Sequence, residues 1–313
     1  MALRIVVGDV TIGVQGDNFS YIFSAAAGGM ESLKKDGKEW LYRAPKPTFW
    51  RAATDNDKGN GFAYKSAMWM AADCFIKCSK LKVWVDQKEI KIPAAPANNR
   101  LRGELSCETV TFSYRYETAT KPKTKVEVVY QVQEKGRIHV SVHYFGKKQL
   151  PELPVFGMRF IMPTAADGYC YEGLSGETYP DRMAGGIPGE YQVTGLPVTP
   201  YLVPQDCGVH MKTKWLAVQR TKVLDNTNVE QKQTTLRFCA QEGEEFAFSC
   251  LPYTALELEN ATHQEELPRA RRTVVSILGA VRGVGGIDSW GADVEEAYHI
   301  SAQKDIVYGF WIE

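Results

Sequence analysis

Between residues 110 and 144 the chain alternates apolar and polar side chains with a period of two. Val110, Phe112, Tyr114 and Tyr116 share one face, as do Val126, Val128, Tyr130 and Val132, and then Ile138, Val140, Val142 and Tyr144. This period predicts three strands, each with one buried face. Glu134-Lys135-Gly136 marks a hairpin turn between the second and third. Further apolar runs predict strands at Leu3–Val7, Phe19–Phe23, Val155–Ile161, Trp215–Arg220, Thr235–Ala240, Phe246–Leu251, Arg272–Leu278 and Ile306–Ile312. Turn-forming clusters recur between them, as in a sandwich or barrel and unlike a parallel α/β sheet. Helix is scarce. Ala67, Met68, Ala71, Ala72 and Phe75 predict one over Lys65–Lys77, and a weaker signal covers Leu256–Glu266. The expected class is all-β, a large sandwich with very little helix.

Composition narrows the function classes. A chain of 313 residues supports one large domain or two ordinary ones. The Pro/Ala/Asn stretch at 93–99 looks like a surface loop and not a linker, so a single domain over 1–313 is expected. Lys+Arg and Asp+Glu are both 37. That balance gives no electrostatic footprint for nucleic acid or an anionic membrane. Neither a signal peptide nor a membrane-length apolar run is evident, and seven scattered cysteines suit a reducing cytoplasm. Cys74 and Cys78 lack the Cys or His partners of a zinc site and read as small buried side chains.

Residues 283–291, Gly-Val-Gly-Gly-Ile-Asp-Ser-Trp-Gly, form a glycine-rich loop carrying one large aromatic. Asp288 and Ser289 can bond backbone amides and shape the turn around Trp290. Taken alone, the loop reads either as an aromatic face for a sugar or as a Trp that plugs the core, and the second is the commoner arrangement. Three other segments change that picture. They are Thr48-Phe49-Trp50-Arg51-Ala52-Ala53-Thr54-Asp55-Asn56-Asp57-Lys58-Gly59, then Gly176-Glu177 with Tyr179-Pro180-Asp181-Arg182, then Pro200-Tyr201-Leu202-Val203-Pro204-Gln205. In this order and spacing the four segments resemble the C-terminal domain of the bacterial β-galactosidases of glycoside hydrolase family 2. The resemblance covers essentially the whole chain and is closest to the small subunit of the two-subunit enzymes.

The resemblance implies a supersandwich fold of the galactose mutarotase type. It also implies retaining hydrolysis of β-D-galactosides such as lactose, with the catalytic carboxylates on a TIM barrel supplied by a large chain or by N-terminal domains. This chain would then complete the galactoside site without a catalytic pair, cofactor or metal of its own, and would be inactive alone. Trp290, with Asp288 and Ser289, is implied to lie at the sugar. Asp55, Asn56, Asp57 and Gly59 are implied to belong to a mobile loop, with Gly59 as its hinge. One departure stands out: after Pro204-Gln205 the family carries a longer carboxylate, then Asn and Gly, whereas here Asp206-Cys207-Gly208 follows.

The remaining candidates read as structural. Asp181 and Arg182 are adjacent opposite charges of the kind that pin a loop. Asp55, Asn56 and Asp57 lack the spacing of a calcium loop and read as turn formers. Retaining hydrolysis needs two carboxyls roughly 5 Å apart. Glu172 and Glu177 are the nearest sequence candidates for such a pair, and the reading preferred for them is hydrogen bonding to backbone and to Arg182. A stand-alone mutarotase needs a His acid and a carboxylate base. His139 and His143 share a strand face, with no carboxylate evident opposite them. A non-catalytic carbohydrate-binding module is the third reading. A domain that covers a barrel is expected to expose an apolar face and to self-associate when isolated.

Overall fold

The computed structural model describes residues 2–91, 105–224, 232–288 and 291–313. The three alternating runs form adjacent antiparallel strands, Val110–Glu117, Lys125–Val132 and Ile138–Tyr144. Their register places Phe112 opposite Tyr130 and Tyr130 opposite Val140, so the apolar sets share one face. All twelve of these apolar side chains are fully buried, and each contributes about 1.5–3 kcal/mol of transfer free energy. The hairpin turn lies at Glu134–Gly136, where Lys135 and Gly136 take positive φ.

These strands belong to a ten-stranded sheet. Its order is Pro188–Thr194, Gly168–Leu174, Trp215–Arg220, Thr234–Ala240, Ile306–Ile312, Ile138–Tyr144, Lys125–Val132, Val110–Glu117, Lys77–Val85, Lys88–Ile90. A six-stranded sheet runs Lys38–Glu39, Gly29–Lys35, Phe19–Ser24, Thr11–Gln15, Leu3–Val7, Leu105–Cys107. A five-stranded sheet runs Val209–Thr213, Phe246–Leu251, Thr273–Val281, Val155–Met162, Arg43–Thr48. Both smaller sheets face the large one across one core. Phe23 of the six-stranded sheet stacks on Phe112 at 3.8 Å between centroids, and Phe160 of the five-stranded sheet meets Phe238 edge-on at 5.1 Å. The two smaller sheets also touch each other, through Lys46 Nζ bonded to the Ala27 and Gly28 carbonyls. The class is therefore all-β, a large sandwich.

The helix expected over Lys65–Lys77 is absent. A four-residue helix, Phe62–Lys65, gives way to a 3-10 turn at Ala67–Trp69, and Lys77 already opens a strand. The positive φ of Ala71 is incompatible with a continuous helix there. The weaker signal resolves into a helix at Ala255–Asn260, capped by Thr254, and a 3-10 turn at Gln264–Glu266. All seven cysteines are free thiols; Cys74 is exposed, contrary to expectation, while Cys78 is half-buried and packs against the core. Residues 93–99, expected as a surface loop, lie outside the described residues.

Candidate functional site

The segment after Thr48 leaves the five-stranded sheet and enters a short helix, Asp55–Gly59. Thr54 caps it: its side chain accepts from Asp57 N, while the Asp57 carboxylate accepts from Thr54 N. Asp57 is buried and does more than cap. Its Oδ2 accepts from Arg51 Nη1 at 2.6 Å, and its Oδ1 from Arg51 Nη2 at 3.2 Å and Arg282 Nη1 at 3.3 Å. Two buried guanidiniums thus converge on one carboxylate. Burial alone would lower the Arg51 pKa, but the neighbouring Asp57, Asp206 and Tyr179 oxygens outweigh it and hold the group above its ordinary value.

Arg282 follows the strand Thr273–Val281 and leads directly into the glycine-rich loop. Side chains from two distant segments hold its first backbone groups. Arg51 Nη2 donates to Gly283 O at 3.0 Å, and Asn56 Nδ2 donates to Val284 O at 3.0 Å. Asp181 accepts from Val284 N and Gly285 N, and Arg182 donates to Gly285 O. The return limb is held as well. Asp288 accepts from Ala292 N at 3.1 Å, and Asp293 accepts from Arg282 and from Asn60. His299 bonds the Val294 carbonyl with one ring nitrogen and Glu152 with the other. Burial lowers the His299 pKa, but the Glu152 carboxylate and the Val294 carbonyl more than offset this, leaving it raised.

Gly59 closes the short helix against the same loop. A Cβ on Gly59 would stand 3.3 Å from Gly291 Cα, and one on Gly291 would stand 2.7 Å from the Gly59 carbonyl carbon. Gly291 also has φ of +85°, which side chains rarely adopt. The loop of Asp55, Asn56, Asp57 and Gly59 is therefore in backbone contact with the limb that follows Trp290. Trp290 and Ser289 themselves lie outside the described residues.

The third segment joins through Gln205, whose Oε1 accepts from Asp55 N at 2.7 Å. Asp206, at the departure from the family pattern, accepts from Tyr179 Oη at 2.7 Å. Burial pushes its pKa up to about 6 despite the opposing pull of Arg51 and the Tyr179 hydroxyl, with Glu177 and Asp57 adding to the rise. All four segments singled out from sequence therefore meet at one place.

Other candidates are partnered elsewhere. Glu172 binds Lys214 and Trp215, and Glu177 binds Thr199, so neither has the expected bond to Arg182. His143 does face a carboxylate, Asp305, at 2.7 Å, contrary to expectation. The pair lies on the outer face of the ten-stranded sheet, with Asp305 largely exposed. A cleft beside the candidate site, lined by Trp50, Arg51, Arg159, Asp206, Ser249 and Tyr253, measures about 30 Å³. That is room for one or two waters and not for a sugar ring. Among the described residues no group of three or more His, Cys, Asp or Glu is arranged to hold a metal ion, and no helix is long and apolar enough to cross a membrane.

The chain is 60% identical to a β-galactosidase small subunit from Latilactobacillus sakei, over 99% of this chain and 97% of that one. It is 34% identical to a β-galactosidase from Streptococcus thermophilus, again over 99% of this chain but only 28% of that protein. The chain thus spans about a quarter of the length of such longer relatives, which include a β-galactosidase from Halalkalibacterium halodurans. Among solved structures, a galactose mutarotase-like protein from Lactobacillus casei is 9% identical over 97% of this chain and 99% of that one, with a TM-score of 0.42. Residues 15–312 match the family described as β-galactosidase small chain, and the chain belongs to that family.

Proposed function

We propose that this chain docks on a large catalytic chain and completes its galactoside site, presenting the loop at 283–294 to the sugar. The observation that carries the reading is that the segments 48–59 and 179–182 both bind that loop, with Gln205 bonded to Asp55 behind them. Arg51, Asn56, Asp181 and Arg182 fix its backbone from two remote parts of the chain. A Trp that merely filled the core would need no such scaffold. In this reading Trp290 supplies a flat apolar face for the C–H side of galactose, and Asp288 and Ser289 shape the turn beneath it. The carboxylate pair that cleaves a β-galactoside such as lactose with retention belongs to the partner. The whole chain acts as one domain, contributes neither cofactor nor metal, and works in the cytoplasm.

An exposed apolar surface supports docking. Tyr64 and Phe75 are 89% and 68% exposed, and Met68 and Met70 lie between them in the chain with much of their surface bare. The segment 62–75 follows the short helix whose Gly59 contacts Gly291, so a partner covering it would sit beside the return limb of the loop.

The test is reconstitution. Mixing the purified chain with its large partner is expected to generate hydrolysis of nitrophenyl β-galactoside that neither chain shows alone. Trp290→Ala is expected to raise KM in the mixture. No gain of activity on mixing, or brisk turnover by this chain unaided, would overturn the proposal.

A further inference from the structure

We propose that Asp57 is a positioning residue that locks the short helix Asp55–Gly59 and the loop 283–294 into one unit and so sets the pose of the loop in the assembled enzyme. The inference rests on the preceding reading of the loop and extends it to a residue that touches no substrate. Asp57 is 2% exposed, and each of its oxygens is shared. Oδ2 serves Arg51 and the Thr54 amide; Oδ1 serves Arg51 and Arg282. Each arginine then passes the constraint to the loop. Arg51 holds the outgoing limb through Gly283 O, and Arg282 holds the return limb through Asp293. Asp293 in turn accepts from Val294 N and from Asn60, one residue past the helix. Removing the carboxylate would leave the Arg51 and Arg282 guanidiniums without their shared anchor and loosen the hold of each on its limb. The same links couple the helix to the loop, so the two are expected to move together or not at all.

The decisive variant is Asp57→Asn in the two-chain enzyme, because it keeps the shape and removes the charge. A displaced sugar platform weakens ground-state and transition-state binding alike, so KM for nitrophenyl β-galactoside is expected to rise about fivefold with kcat within about twofold. A merely structural role would lower the fraction of active complex, giving a fall in kcat at constant KM, and that result would overturn the proposal. A second readout is independent of activity. The Trp290 component of the fluorescence, taken as the difference from a Trp290→Phe chain, is expected to become about twice as sensitive to acrylamide. Should Asp57→Asn fail to fold, Asn56→Ala removes only the amide bond to Val284 O, and a rise of about twofold in both KM and quenching is expected. Unchanged quenching and unchanged KM in the soluble variants would refute the inference. Failure of the sugar-platform reading looks different: Trp290→Ala would leave KM unchanged while quenching still responded to Asp57.

Discussion

Asp206 offers a test in which electrostatics and burial pull in opposite directions. Its carboxyl is held near 6 in the folded chain against an ordinary value of 3.8, because burial disfavours the charge more than Arg51 and the Tyr179 hydroxyl favour it. A folded-state pKa above the unfolded one means that the folded chain binds the extra proton between about pH 4 and pH 6. Stability is therefore greatest with the proton on and is lost as pH rises through about 6. Two pKa units correspond to about 3 kcal/mol, and discounting for the part of Asp206 that still meets solvent leaves about 1–2 kcal/mol. Asp206→Asn removes the charge and keeps an acceptor for Tyr179. Equilibrium urea unfolding of the two chains should give a variant more stable by about 1–2 kcal/mol at pH 8, with the advantage vanishing near pH 4. A variant less stable than the parent at pH 8, or a difference independent of pH, would refute the reasoning. The first result would show that the attraction of Arg51 for the ionised carboxylate exceeds the cost of burying it, and the second that the two balance.

Gly291→Ala forces a side chain into positive φ and against the Gly59 carbonyl carbon, and is expected to cost about 2–4 kcal/mol in urea unfolding and to raise KM in the assembled enzyme. The raised pKa of His299 has the sign of a histidine that gains partners on folding. Its stabilisation is complete below the unfolded value and is lost as pH rises through the folded one, so His299→Gln should destabilise the chain more at pH 5.5 than at pH 8.5 by denaturant unfolding. Tyr64→Ser combined with Phe75→Ser should weaken association with the large chain about tenfold or more by ultracentrifugation, and should reduce self-association of the isolated chain while leaving its melting temperature unchanged within a few degrees.

Two kinds of strand are legible in the sequence: those whose two faces meet different environments, and those buried on both faces, such as Val155–Met162, which read as a continuous apolar run. Val110–Glu117 and its neighbours have one face in the core and one toward solvent, which writes a period of two directly into the chain. Arg43–Thr48 carries Pro45 and Pro47 at the edge of its sheet and shows no such alternation, so it was silent. The misread helix is more informative. Met68 and Phe75 contribute to the apparent helical spacing, yet both are substantially exposed, and an exposed apolar residue gives the same sequence signal as one in the core. At the site, the segments that meet were legible because the family resemblance singled out each of them. The links between them were not, since Arg51 and Gly283 are 232 residues apart and no local rule pairs them. The same applies to His143 and Asp305, and to Glu172, whose cation proved to be Lys214.

The backbone of Gly283, Val284 and Gly285 is shaped by side chains at positions 51, 56, 181 and 182. The conformation is therefore not portable. Grafting residues 283–294 onto another β-sandwich would transfer the letters without the shape, and a working transplant would have to carry all of those remote anchors along with it.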